Sequence, residues 1–187
     1  MFLLKQYPEY IFNFEGAVKY AWMKEYYPAQ YEEMKKFIES GRWHISGASW
    51  DATDTLVPSI ESALRNIMLG QDYYRKEFGV ESTDIFLPDC FGFGWTLPAI
   101  ASHCGLIGFS SQKLQWRNKP FYGNDKYPFT VGLWQGIDGS TIMMTHGYDY
   151  NQRFEDGDLS ENKDLLELTG HSPLHMVYRY FGTGDIG

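Results

Sequence analysis

Residues 85–100, IFLPDCFGFGWTLPAI, restrict this chain to a narrow set of folds. Ile85, Phe86 and Leu87 form a short apolar run, of the length and type of a buried strand in a parallel sheet. Pro88 stops the run, and Asp89 stands where the strand emerges. Phe91 to Gly94 suits a tight turn, and Leu97 to Cys104 reads as the next helix, with Thr96 as its cap and Pro98 tolerated in its first turn. Barrels and open sheets put their chemistry at the C-terminal ends of such strands. Asp also caps turns after Pro, so position alone leaves Asp89 open between a chemical and a structural role.

The same alternation runs through the rest of the sequence. Tyr10 to Phe14 reads as a strand and Ala17 to Glu25 as a helix. Pro28 opens a second helix to about Ser40, in which Tyr31, Met34, Phe37 and Ile38 recur at helical spacing, and Gly41 ends it. Trp43 to Ile45 forms the next strand, followed by a loop from Ser46 to Pro58. The longest helix is expected from Ser59 to Phe78, with Ile60, Leu64, Ile67 and Met68 on its inner face and Gly79 as its stop. A strand over Leu106 to Ser110 precedes a polar and aromatic loop, Gln112 to Pro128. Leu133 to Ile137 and Thr141 to Thr145 flank an Asp-Gly hairpin signal. A polar, exposed segment from Asn151 to Asp164, a helix-like stretch and a strand over Val177 to Tyr180 complete the chain. Alternating strands and helices without repeats imply an α/β fold with parallel strands.

Composition narrows the function. A length of 187 residues suits one domain, and 43% hydrophobic content supports a sizeable core. A net charge of -8, with no Lys/Arg cluster, argues against a nucleic-acid partner. No apolar stretch reaches transmembrane length. Aromatic residues make up 18% of the chain; sugar-binding sites stack such rings on their ligands, and aromatic-rich cores show the same bias. Cys90 and Cys104 have neither metal spacing nor a disulfide framework pattern and read as buried thiols.

The run LPDCFGF resembles the nucleophile motif of the family 38 glycoside hydrolases, the α-mannosidases. The resemblance extends to YPAQYEEMKKFIESGRWHISGASWDATDTLVPSIESALRNIMLGQDYY upstream, and to SSQKLQW, WQGIDGSTI and FGTGDIG downstream, all in order. It implies that the chain is part of one catalytic domain, a partial (β/α)7-type barrel lacking the first strand and the C-terminal portion. It also implies a retaining exo-α-mannosidase activity on terminal α-mannosyl residues of oligosaccharides or glycans.

Retention requires two carboxyl groups roughly 5 to 5.5 Å apart. The resemblance assigns Asp89 as nucleophile and ligand of a catalytic zinc, and Asp185, in the Gly-rich motif, as acid/base. It places Trp50, Asp54, Lys113 and Tyr148 near the substrate, Tyr148 only loosely. Glu61 and Arg65 fit a support role and could pair with each other along one helix. The family more often has Glu where Asp51 stands, so no substrate role is carried to Asp51. Zn²⁺, or another divalent metal, would be held mostly from outside this chain. No His-any-Asp pair occurs, and His44, His103, His146, His171 and His175 fall off the family's metal positions and read as surface or locally hydrogen-bonded residues. One carboxylate does not hold zinc tightly, so the isolated chain is expected to be inactive, and its uncovered edges to promote self-association. A metal-dependent carbohydrate deacetylase, or a non-catalytic carbohydrate-binding remnant, is the alternative; a deacetylase would need His ligands that this sequence lacks.

Overall fold

The computed structural model describes residues 1–113, 130–146, 159–171 and 174–178. Its elements, in chain order, are α1 (Phe2–Gln6), β1 (Phe12–Phe14), α2 (Ala17–Tyr26), α3 (Pro28–Glu39), β2 (Trp43–Ile45), α4 (Ile60–Phe78), β3 (Asp84–Phe86), α5 (Leu97–His103), β4 (Gly108–Ser111), β5 (Val131–Gln135), β6 (Thr141–His146), a 3-10 turn (Leu159–Glu161) and α6 (Lys163–His171). Strands β1 and β2 pair in parallel, and a second sheet has the order β3-β4-β6-β5. Within it β3, β4 and β6 are mutually parallel neighbours, while β5 runs antiparallel to β6. The fold is therefore mixed α/β, with one antiparallel strand that alternation alone did not anticipate.

The sheets meet where the chain leaves β2. The Ala48 amide donates to the Asp84 carbonyl at 2.8 Å. The Asp84 carboxylate accepts from Ser46 Oγ at 2.7 Å, Gly47 N at 2.9 Å and Ser82 Oγ at 2.9 Å. Gly47 adopts φ +75°, and a Cβ there would come within 3.0 Å of the Glu15 Cβ. One carboxylate at the start of β3 thus satisfies the turn that carries the chain from one sheet to the other.

Helix α4 shows where sequence pattern and structure part. Its ends agree with local chemistry: Ser59 accepts from Ser62 N, and Gly79 closes the helix in the left-handed region at φ +68°. Its inner face differs, because Ile60 and Met68 are exposed and the buried residues are Ile67, Gly70, Gln71 and Tyr74. The reason is that α4 packs on backbone. A Cβ at Gly70 would lie 2.1 Å from the Ala48 carbonyl oxygen. Gln71 uses its whole amide on Ser82, donating to its carbonyl at 2.7 Å and accepting from its amide at 3.0 Å.

Two apolar clusters form the core. Tyr20, Tyr31, Met34, Trp43 and Tyr74 centre the first, under α2, α3 and α4; Ile67, Ile85, Leu87, Leu97 and Phe109 centre the second, between the larger sheet and α4 and α5. Tyr20 ties the first together by accepting from Trp43 Nε1 at 3.0 Å and donating to the Phe14 carbonyl at 2.9 Å. Much of the aromatic excess is thus interior packing.

Several boundaries move. Strand β4 begins at Gly108 rather than Leu106. Strand β5 runs Val131–Gln135 and ends two residues before Ile137, because the hairpin turn is longer than Asp-Gly alone: Gly136 N donates to Ser140 O, and Ile137 is exposed. Thr96 precedes α5 without a side-chain capping bond, and its backbone is already helical. Cys90 and Cys104 are free and half-buried rather than buried. Val177 and Tyr178 are not in a strand; Tyr178 N donates to Thr130 Oγ1 at 2.7 Å. The segments 114–129 and 151–158 lie outside the described residues. Among the described residues no helix is long and apolar enough to cross a membrane.

Candidate active site

The C-terminal ends of β3 and β4 bring Asp89 and Lys113 together. The parallel register pairs Phe86 with Ser110. Asp89 and Lys113 each lie three residues beyond their member of that pair (89 − 86 and 113 − 110), so they emerge at the same edge. There the Lys113 ammonium forms an ion pair with Asp89 Oδ1. The two ends of the pair sit in different surroundings, with the Lys113 side chain 8% exposed and that of Asp89 56% exposed. A buried ammonium needs a partner, and the Asp89 carboxylate supplies one while keeping its other face towards solvent. Lys113 Nζ also lies 4.7 Å from the centre of the Phe91 ring, a cation–π contact from the turn that carries Asp89. Next along the edge, Ser111 pairs with His146 at the end of β6, and His146 is fully buried rather than on the surface.

The loop after β2 closes over this turn. Asp54 is exposed, and its Oδ1 accepts from Leu56 N at 2.7 Å and Val57 N at 3.1 Å, shaping its own loop. Cys90 Sγ donates to the Thr53 carbonyl at 3.0 Å, and Thr55 Oγ1 donates to the Gly92 carbonyl. Burial pushes the Cys90 thiol up to about 11, with the charges of Asp54, Asp89 and Glu15 acting in the same direction and Lys113 opposing them. Asp54, Asp89, Lys113 and Glu15, which follows β1, therefore share one electrostatic neighbourhood around Cys90. Sequence reasoning missed Glu15.

Trp50 faces elsewhere. Its ring meets Tyr73 of α4 edge-on, with centroids 5.8 Å apart, and packs against the first core cluster. Its backbone is clamped on α4: Trp50 N donates to Asn66 O at 2.8 Å, while Asn66 Nδ2 donates to Asp51 O at 2.8 Å and Asn66 Oδ1 accepts from Asp51 N at 3.2 Å. Glu61 and Arg65 form an exposed i,i+4 pair at 2.7 Å. Of the histidines, His44 and His175 are exposed and His103 pairs with Asp138 at 2.9 Å. Asp185 and Tyr148 lie outside the described residues. Among the described residues no group of three or more His, Cys, Asp or Glu side chains could hold a metal ion.

A half-exposed carboxylate fixed by a buried lysine at a parallel strand end can serve as nucleophile, base or ligand, so geometry leaves the reaction open. The family comparison narrows it. Residues 1–171 match the model of the glycosyl hydrolases family 38 N-terminal domain. The chain belongs to glycosyl hydrolase family 38. It is 37% identical to alpha-mannosidase G of Dictyostelium discoideum over 188 residues, covering 97% of this chain and 16% of the relative. It thus spans about a sixth of the length of that relative. Its fold is similar to part of an alpha-mannosidase from Enterococcus faecalis V583, at a TM-score of 0.64 and 21% identity over 77% of this chain and 16% of the other. A 4-alpha-glucanotransferase from Thermococcus litoralis shares it at a TM-score of 0.71 and 16% identity, over 98% of this chain and 28% of the other. Identities this low speak for the fold alone, and the family 38 membership rests on the sequence.

Proposed function

We propose that this chain is part of the catalytic domain of a retaining exo-α-mannosidase, a (β/α)7-type barrel that removes terminal α-mannosyl residues from oligosaccharides or glycans. The observation that carries the reading is the Asp89–Lys113 pair at the strand edge, within a family 38 sequence whose relative at 37% identity is named an alpha-mannosidase.

In this reading the Asp89 carboxylate attacks the anomeric carbon, and the glycosidic C–O bond breaks as a covalent glycosyl ester forms. Asp185 protonates the departing oxygen. Its carboxylate then takes a proton from water, which attacks the same carbon and releases mannose with net retention. Lys113 keeps the Asp89 side chain aimed before attack, Asp54 and Tyr148 contribute to sugar binding, and Trp50 supports the loop that carries Asp54 from its seat on α4. We further propose Zn²⁺ as cofactor, with Asp89 as one ligand, to hold sugar hydroxyls. The described residues do not form a complete metal site, and no step above depends on one.

Intact-protein mass spectrometry of the full-length protein with dinitrophenyl α-mannoside tests the assignment. Asp89→Asn should form no covalent adduct, because a neutral amide is a poor nucleophile. Asp185→Asn should still be glycosylated by this good leaving group, accumulate the adduct, and turn over again when azide is added. An adduct on the Asp89 variant, or equal loss towards good and poor leaving groups in the Asp185 variant, would overturn it.

A further inference from the structure

Asp89 sits on a turn that overhangs its strand, where the ion pair to Lys113 and the Lys113–Phe91 contact tie the turn to the end of β4. The loop after β2 holds the same turn by two hydrogen bonds. Thr55 Oγ1 donates to the Gly92 carbonyl, and Cys90 Sγ donates to the Thr53 carbonyl at 3.0 Å. These bonds run in opposite directions between the same two loops, so sliding or lifting one loop breaks both. The contact is closely fitted: Gly92 adopts φ +147°, and a Cβ there would lie 2.5 Å from Leu56 Cδ1. The receiving loop is itself braced by the Asp54 carboxylate, which accepts from Leu56 N and Val57 N.

We propose that Thr55 and Cys90 are positioning residues for the reaction of Asp89, their two hydrogen bonds forming a latch that fixes the nucleophile turn against the loop carrying Asp54. The inference rests on the assignment of Asp89 as nucleophile. Neither side chain touches substrate in this scheme; each acts through the backbone that follows Asp89. Displacement of a reacting group by about 1 Å costs up to about a hundredfold in rate, so a latch of this kind should show in kcat rather than in KM.

Thr55→Val keeps the side-chain shape and removes the donor, and Thr55→Ser restores it. In the full-length enzyme with dinitrophenyl α-mannoside, Thr55→Val should lower kcat by about tenfold, with KM near wild type, and Thr55→Ser should recover most of that loss. Cys90 provides a readout independent of mannoside chemistry. Its alkylation by iodoacetamide, followed on its own peptide by mass spectrometry, should quicken several-fold in Thr55→Val as the latch opens. Wild-type kcat together with an unchanged alkylation rate in Thr55→Val would overturn the proposal. If Thr55→Val fails to fold, Cys90→Ala breaks the other bond, and a wild-type kcat there would overturn it equally. If the wild-type enzyme turns over no α-mannoside, the glycosidase reading fails instead, and the alkylation rates alone decide whether the latch exists.

Discussion

Gly70→Ala sets two opposing effects against each other, and the structure decides the sign. In a helix interior alanine is favoured over glycine by about 1 kcal/mol. At Gly70, however, the added Cβ would lie 2.1 Å from the Ala48 oxygen, 2.4 Å from the Ser49 carbonyl carbon and 2.7 Å from the Trp50 nitrogen. All three are backbone atoms, so no rotamer change relieves the clash. Overpacking of this kind costs about 1–3 kcal/mol. Pushing α4 outward also weakens the Trp50 N to Asn66 O bond and the two Asn66–Asp51 bonds, each worth about 1 kcal/mol. The net expectation is a loss of roughly 2–4 kcal/mol, or a Tm lower by roughly 5–15 °C for a domain of this size. Gly170 is the internal control, being helical and exposed, with nothing within 4 Å of an added Cβ. There the same substitution should raise stability by up to about 1 kcal/mol. Thermal unfolding followed by near-ultraviolet circular dichroism measures both. A Gly70→Ala protein as stable as wild type would refute the direct packing of α4 on the 48–50 backbone.

Further expectations concern charge and hydrogen bonding. Asp84→Asn should cost about 2–3 kcal/mol, because the new amide nitrogen cannot accept from the donors that Ser46, Gly47 and Ser82 present; denaturant unfolding reads the loss. Asp138 is held at about 2, first by hydrogen bonds from Ser140 and also by His103. Its folded pKa is depressed, so its contribution is present above the ordinary carboxylate range and lost as pH falls through about 2. Ser140→Ala should move its titration midpoint upward in a carbon-detected NMR titration, and an unmoved midpoint would discount the Ser140 bonds. The Cys90 thiol, raised to about 11, contributes stability that is complete below its unfolded pKa and lost as pH rises through about 11. Native protein at pH 8 should therefore alkylate at Cys90 more slowly than urea-unfolded protein.

Legibility from sequence divides along the range of the interaction. Both ends of α4 are local: Ser59 and Gly79 act on backbone within one turn, and both stand where the sequence predicts. Its inner face is not local. Periodicity selects Ile60 and Met68, yet the helix is seated by a glycine and a glutamine against loop backbone, and hydrophobic pattern does not report either. A glycine inside a strong helical pattern is nonetheless a signal of close approach, so Gly70 was within reach. Asn66 was not, since its partner backbone at Asp51 is fixed only once the loop has folded over the helix.

The candidate site divides in the same way. Strand, Pro, Asp and Gly-rich turn make Asp89 a candidate from its immediate neighbours, but family resemblance assigns its role, and resemblance alone singled out Lys113. Physically the two residues are one feature. Once β3 and β4 pair in register at Phe86 and Ser110, equal overhangs bring the carboxylate and the ammonium to the same edge, and burial of the lysine makes the pairing obligatory. A shift of β4 by one residue would exchange its two faces and remove Lys113 from Asp89. The register of two short strands is therefore as much a determinant of the site as the identity of either residue. The Thr55 and Cys90 bonds add a further long-range condition, since each joins loops that no local pattern connects.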